Sequence, residues 1–296
     1  MGKGDIAAVS ELLEVAGAAD GHQPLGDHQW LDLVHGGREG FAGLVAWEPG
    51  HDHPVGYAQV TRGVQSWALE FVVDPHHRAD GNPIGRELVT AALRVVAAEG
   101  GGHVHLWVPK PTTAHDDIAA ASGLQRGRDL LQMRRPLPAS EPWNLDTRPF
   151  VPGEDDEAWL VVNNRAFLWH PEQGGWDLET LHRRQAEAWF DPAGFLLHER
   201  DGQLAGSCWT KVHADHDPPL GEIYVVSVDP HYQGLGLGRQ LVLAGLTWLA
   251  DKGITVGMLY VDADNATAVH LYDKLGFTVD HVDRAYVGDV AAAPPD

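Results

Sequence analysis

The stretch Val228-Asp-Pro-His-Tyr-Gln-Gly-Leu-Gly-Leu-Gly-Arg-Gln-Leu241 decides how this 296-residue chain is read. Before it, Glu222 to Val228 is rich in β-branched residues and stops at Asp229-Pro230, which predicts a strand ending there. After it, Leu237, Leu241, Ala244 and Trp248 recur at helical spacing along one face. Between strand and helix, Gly234, Gly236 and Gly238 let backbone N–H groups converge where side chains would block a ligand. The helix N-terminus adds unpaired N–H groups and partial positive charge. The combination predicts an anion site suited to a pyrophosphate, with Arg239 as an added cation. Alternating glycines alone are a weak signal, shared with plain structural loops and with Rossmann sites. A Rossmann reading fails on the G-x-G-x-G spacing and the Asp-Pro break. It also needs an acidic residue ending a second strand, where Thr255 and Gly257 stand instead.

Working outward, the chain repeats itself. Phe71-Val-Val-Asp-Pro-His-His77 resembles Ser227-Val-Asp-Pro-His-Tyr232, Ile84-Gly-Arg-Glu-Leu88 resembles Leu237-Gly-Arg-Gln-Leu241, and Ser122-Gly-Leu124 resembles Leu275-Gly-Phe277. The later pairs share an offset of 153 residues, whereas Asp74 and Asp229 lie 155 apart. The first copy therefore carries a longer loop between its Asp-Pro and its Ile-Gly. Prolines 136, 138, 142, 149 and 152 mark the junction, because proline disfavours helix and sheet interiors alike. The expected organisation is a first domain at 1–138, a linker at 139–150 and a second domain at 151–296. Each copy reads as alternating α and β. In the second, Val256 to Val261 is the next strand, and Asn265 caps a helix bearing Ala268, Leu271 and Leu275 that Gly276 ends.

Composition narrows the function. The chain has 42 acidic against 21 basic residues, a formal charge of −21, which disfavours a nucleic acid partner. No apolar run approaches the ~18 residues of a membrane span, no signal-peptide core follows the N-terminus, and Ile6 spoils a myristoylation pattern. A single cysteine, Cys208, leaves no internal disulfide and fits a reducing cytoplasm. Of the 18 histidines, His51/His53, His76/His77, His103/His105 and His213/His216 form close pairs. None has a third ligand nearby at zinc spacing, so no metal is expected.

Gln233-x-x-Gly236-x-Gly238 after Val-Asp-Pro, followed by Asp264-Asn265, Ala268, Tyr272 and Leu275-Gly-Phe277, resembles the GNAT acetyltransferase superfamily. The resemblance implies an α/β fold of two tandem GNAT-type domains, each a mixed, mostly antiparallel twisted sheet flanked by helices. Asn163-Asn-x-Ala-Phe167, His170-Pro-Glu-Gln-Gly-Gly-Trp176, Glu187-Ala-Trp-Phe-Asp-Pro192, Trp209-Thr-Lys-Val-His213 and Leu259-Tyr-Val261 look like the mycothiol synthases, as does Gln132-Met-Arg-Arg-Pro-Leu137. That family acetylates a cysteinyl amine on a glucosaminyl-inositol, with acetyl-CoA as co-substrate. The resemblance implies acetyl-CoA contacts at Val226, Ser227, Val228, Gln233, Gly234, Leu235, Gly236, Leu237, Gly238, Arg239, Asn265, Ala266, Thr267, Ala268, Val269 and His270. It places Phe71, Val72 and Val73 at a second such site in the first copy. It implies acceptor contacts at Asp27, Glu172, Lys211, Glu222 and Tyr260. Asp27 stands where a longer Glu is usual. A cytoplasmic monomer acting on a small amine, with no nucleic acid or membrane partner, is expected.

Acetyl transfer to an amine needs a base for the ammonium proton, donors for the oxyanion and an acid for the departing thiolate. Glu222, at the start of the strand into the glycine loop, is the candidate base. Tyr272, on the helix after the next strand, is the candidate acid, and the family implies the same two roles. The plain alternatives are a solvated strand-end carboxylate and a core tyrosine beside Leu275. Counting through the repeat sets Trp67 at the position of Glu222, Ala119 at that of Tyr272 and Thr112 at that of Asn265. The first copy thus lacks base and acid. Pro83 removes an N–H from its longer loop and Asp80 adds negative charge, both unfavourable to a pyrophosphate. It reads as structural, and as one wall of the substrate cleft.

Overall fold

A computed structural model describes residues 4–26, 30, 32–34, 40–63, 66–79, 81–168, 173–214 and 216–294. The chain divides into two compact units, Met1–Leu130 with Val282–Asp296, and Leu131–His281. The division between the units falls inside two strands, β5 (Gln125–Pro136) and β11 (Thr278–Val290), and the proline-bearing stretch 139–150 follows β5. That stretch has no regular structure until Arg148–Pro149, which forms a short strand, β6. The Arg135 guanidinium holds it through the Glu141 carboxylate at 3.1 Å.

The first unit contains α1 (Asp5–Asp20), β1 (Phe41–Ala46), β2 (Gly56–Arg62), β3 (Trp67–Val73), α2 (Ile84–Ala98), β4 (Gly102–Pro109) and α3 (Thr113–Ala121). β1, β2 and β3 pair antiparallel in sequence, β3 pairs parallel with β4, and residues 283–290 of β11 pair antiparallel with β4. Its core gathers Val60, Leu69, Val89, Val96, Leu106 and Tyr286 between sheet and α2. Tyr286 comes from β11, so the unit is closed by the far end of the chain.

The second unit contains α4 (Asp156–Ala166), α5 (Leu178–Gln185), β7 (Phe195–Arg200), β8 (Gln203–His213), β9 (Leu220–Val228), α6 (Leu237–Asp251), β10 (Val256–Asp262) and α7 (Ala266–Lys274). β6 to β9 are antiparallel neighbours, and β9 lies parallel to β10. The amphipathic face expected from Leu237, Leu241 and Ala244 is buried, with Leu241, Leu246 and Leu249 fully inaccessible. Asn265 caps α7 as its side chain accepts from the Ala268 N–H at 3.2 Å. Both units are mixed sheets with helices packed on them, the architecture expected from the alternating pattern.

Two features of β9 shape the second unit. Its register with β8 slips between Trp209 and Thr210, a bulge that bends the strand. Its parallel pairing with β10 covers only Leu220, Gly221 and Glu222, the last opposite Met258. Beyond Glu222 the two strands continue without registered pairs toward the glycine loop and α7. Among the described residues, no helix is long and apolar enough to cross a membrane.

Candidate active site

Glu222 stands on the last paired rung of β9 and is buried. Its Oε2 accepts from His213 Nε2–H at 2.7 Å. His213 ends β8, diagonal to Glu222 across the antiparallel pair, where side chains share a face. Directly opposite Glu222 is Lys211, also buried. The Lys211 ammonium lies 5.0 Å above the Trp189 ring and 6.0 Å from Tyr224, within cation–π range. Carboxylate, imidazole and ammonium thus share one small patch where β9 and β10 separate. His213 and Trp189 were absent from the sequence candidates. The signal for His213 was there: residues i and j±2 of an antiparallel pair are neighbours. Finding it required the β8–β9 register, which a loop between them hides.

Tyr272, on α7, is buried against Phe277, with ring centroids 5.8 Å apart. It belongs to the core around Leu241 and Leu275, so the core-tyrosine reading describes its ring correctly. Burial, with a lesser contribution from Cys208, holds its phenol far above the ordinary tyrosine range. The hydroxyl therefore stays protonated at working pH and keeps a proton to donate. Cys208, fully buried, has its thiol pushed up to about 12 by burial, which makes it an inert core residue.

At the glycine loop, Gly234 and Gly236 adopt positive φ of 77° and 76°, which demands glycine. Gly236 is the residue before α6. Gly238 is different. It is helical, and an added Cβ would meet nothing nearer than Val228 Cγ2 at 3.9 Å and Leu271 Cδ2 at 4.0 Å. Nothing in the protein requires glycine there, so the missing side chain leaves room beside the α6 N-terminus. Gln233, Gly234, Leu235 and Gly236 are exposed around that room, and Leu237 is buried beneath it. Arg239 does not reach over the loop; its guanidinium donates to the Pro142 carbonyl at 3.4 Å. Ala266, Thr267 and His270 line the exposed side of α7, with Ala268 and Val269 half-buried. Val226 and Val228 are half-buried on β9, while the Ser227 hydroxyl is turned into the core toward Ser207 at 2.9 Å. The open helix N-terminus, the clear space at Gly238 and the stretch of β9 beyond its pairing with β10 fit a thioester carried on a pyrophosphate-bearing tail.

Of the remaining candidates, Tyr260 is partly exposed on β10, and its hydroxyl accepts from Gln132 Nε2 at 2.8 Å. Asp27 and Glu172 lie outside the described residues, as does Asp80. The flank of Glu172 is nonetheless firmly placed. Asn163 donates to the Gln173 carbonyl at 2.9 Å, and Asn164 exchanges two hydrogen bonds with the Trp176 backbone. The paired asparagines of α4 are therefore clamps for the segment that follows Glu172.

In the first unit, Phe71 and Ile118 crowd Gly85, where an added Cβ would lie 2.9 Å from Ile118 Cδ1 and 3.1 Å from the Phe71 ring. Phe71 also packs edge-on against His115, with centroids 5.9 Å apart. Val72 is buried in the core beside α1, and Val73 is half-buried near Gly85.

The GNAT acetyltransferase family model matches residues 162–277 of the chain. The chain is 47% identical to the mycothiol acetyltransferase of Thermobispora bispora, over 96% of both sequences. It is 44% identical to that of Acidimicrobium ferrooxidans, over 97% of this chain and 95% of the relative. The chain belongs to the mycothiol acetyltransferase family. As a member it is a GNAT N-acetyltransferase, and GNAT enzymes use acetyl-CoA. Solved structures agree on the tandem fold. A GCN5-related N-acetyltransferase from Sphaerobacter thermophilus superposes with a TM-score of 0.74 at 23% identity, over 99% of this chain and 95% of that one. A tandem GNAT protein from the clavulanic acid biosynthesis pathway gives 0.69 at 19% identity, over 99% and 96%. The mycothiol acetyltransferase resemblance spans both units, whereas the GNAT model matches within the second alone.

Proposed function

We propose that the second unit transfers the acetyl group of acetyl-CoA to the cysteinyl amine of a cysteinyl-glucosaminyl-inositol, forming mycothiol. The observation that carries the reading is the Glu222–His213–Lys211 patch at the point where β9 and β10 part. The Glu222 carboxylate takes the amine proton, directly or through water. His213 fixes the carboxylate's orientation through Oε2 and leaves the other oxygen for that role. Lys211, Tyr260 and the clamped segment after Glu172 offer polar groups suited to a hydroxyl-rich acceptor. Backbone N–H groups near Val228 donate to the thioester oxygen. Tyr272, kept protonated by burial, donates to the departing sulfur. The acceptor is a small molecule, the enzyme is a cytoplasmic monomer, and neither nucleic acid nor membrane takes part.

We also infer that this chain holds one acetyl-CoA, in the second unit, because Phe71, Ile118 and His115 fill the matching space in the first. Calorimetric titration should give one equivalent per chain. Two equivalents would restore Phe71, Val72 and Val73 as a second site. For the reaction, mass spectrometry of products from acetyl-CoA and a panel of amines is the direct test. Acetylation of the cysteinyl-glucosaminyl-inositol should exceed that of peptide N-termini and aminoglycosides by at least ~100-fold in kcat/KM. Equal or better turnover of another amine would replace this acceptor.

A further inference from the structure

The first unit brings together three side chains that its sequence keeps apart. Glu48 and His51 belong to the connection between β1 and β2, and His77 ends the 3-10 turn Pro75–His77 that follows β3. One ligating atom from each lies within 4.8 Å of the other two. We propose that Glu48, His51 and His77 bind a zinc ion that ties the β1–β2 connection to the turn after β3.

The distances favour a metal over a plain hydrogen-bonded cluster. Glu48 Oε2 is 3.4 Å from His77 Nε2 and 3.6 Å from His51 Nδ1. Both separations exceed the roughly 2.7–3.2 Å of an N–H···O hydrogen bond. Two ligands about 2.0–2.1 Å from a tetrahedral zinc stand about 3.4 Å apart, close to both carboxylate–imidazole separations, and the two imidazole nitrogens lie within 4.8 Å of each other. Two imidazoles converge on one carboxylate oxygen, and their rings are 5.0 Å apart between centroids. Behind the site, His77 Nδ1 faces Asp74 Oδ1 at 3.4 Å, and the buried Asp74 is itself pinned by the His76 N–H at 2.8 Å. A small approach of this carboxylate would give His77 the support that zinc-ligating histidines usually have. Water fills the fourth position.

Two nitrogens and one oxygen suit zinc and its transition-metal neighbours, and exclude magnesium or calcium as the natural ion. In the second unit Tyr232 occupies the position of His77, so the site has no counterpart there. The ion acts as a staple: it binds the folded first unit and not the unfolded chain, and so raises its stability.

The test is equilibrium dialysis of the chelator-treated full chain against zinc, together with thermal unfolding and visible absorption after cobalt substitution. One equivalent should bind with a dissociation constant on the order of 10 µM or tighter. Glu48→Gln, at a half-exposed position that leaves folding intact, should weaken binding at least about tenfold, and His51→Gln with His77→Gln should abolish it. His103→Gln, at a histidine pair elsewhere in the unit, should change nothing. Zinc should raise the unfolding temperature of the unaltered chain and not that of the double variant. Absence of binding at about 1 mM zinc, or one equivalent retained by both Glu48→Gln and the double variant, overturns the proposal.

Discussion

Both units place a glycine one residue into the helix that follows their third long strand, and its surroundings differ. Around Gly238 the neighbours Val228 and Leu271 stand back at 3.9 and 4.0 Å. Around Gly85 the same two neighbours by position, Val73 and Ile118, come closer, and Phe71 adds a ring. Gly85 is required by packing, whereas Gly238 leaves a space that packing does not use. Duplication of a fold thus preserved the frame while one copy filled its cleft with side chains. The same copy carries Trp67 and Ala119 where the other has Glu222 and Tyr272. The open space and the residues proposed as base and acid occur together in one unit and are missing together from the other.

The comparison can be broken hardest at Glu222. Glu222→Gln makes the second unit as baseless as the first, and kcat/KM should fall by ~10²–10⁴. The loss should shrink as pH rises, because more of the acceptor amine is then already neutral. A variant with the original rate and pH profile would remove Glu222 as the base. Tyr272→Phe should cost less, about tenfold, since a thiolate leaves tolerably without help. Raising the pH should not rescue it, because the buried phenol it replaces never titrates in the working range. Rescue at high pH would assign Tyr272 a different role.

The two glycines offer the symmetrical test. Gly238→Ala adds a methyl that the protein itself accommodates, so its effect should fall on the ligand. Acetyl-CoA affinity should drop at least tenfold, about 1.4 kcal/mol, with little change in unfolding temperature. Gly85→Ala should do the opposite: about 1–3 kcal/mol of lost stability from overpacking, with turnover per folded molecule unchanged. Calorimetric titration and thermal unfolding of both variants would decide it. Equal behaviour of the pair would erase the distinction drawn between the units.

The last test concerns a buried acid of the first unit. Glu70 has its carboxyl pushed up to about 8 by burial, against a partial opposing hydrogen bond from the Gly26 backbone. A raised acid binds protons more tightly in the folded state, so stability declines as pH climbs from about 4.5 to about 8. Glu70→Gln keeps the shape and removes that decline. Its unfolding temperature should match the unaltered protein near pH 4.5 and exceed it increasingly toward pH 8. Parallel curves for the two proteins would show that Glu70 does not titrate in this window.

The sequence was informative where chemistry is local. The glycine loop, its helix, the Asn265 cap and the positions of Glu222 and Tyr272 all follow from neighbours along the chain. It was uninformative where strands meet. The His213–Glu222 hydrogen bond depends on β8–β9 register, and the Trp189 ring over Lys211 depends on how the segment after α5 folds back. The contact of the Arg239 guanidinium with the Pro142 carbonyl likewise depends on where the proline stretch runs. Prolines cluster at 136–152, the composition of a linker, while the division into compact units depends on the pairing of β5 and β11, within which it falls.

That division sets a timetable for the ribosome. Strand β4 waits for residues 283–290, which pair along it from Pro109 to Gly102. Everything up to residue 290 must therefore emerge before the first unit can close its sheet. Until then β4 is a bare edge, open to any extended segment that reaches it first. A nascent chain stalled short of β11 offers quality control a recognisable half-made object, and the first 130 residues made alone would remain in that state.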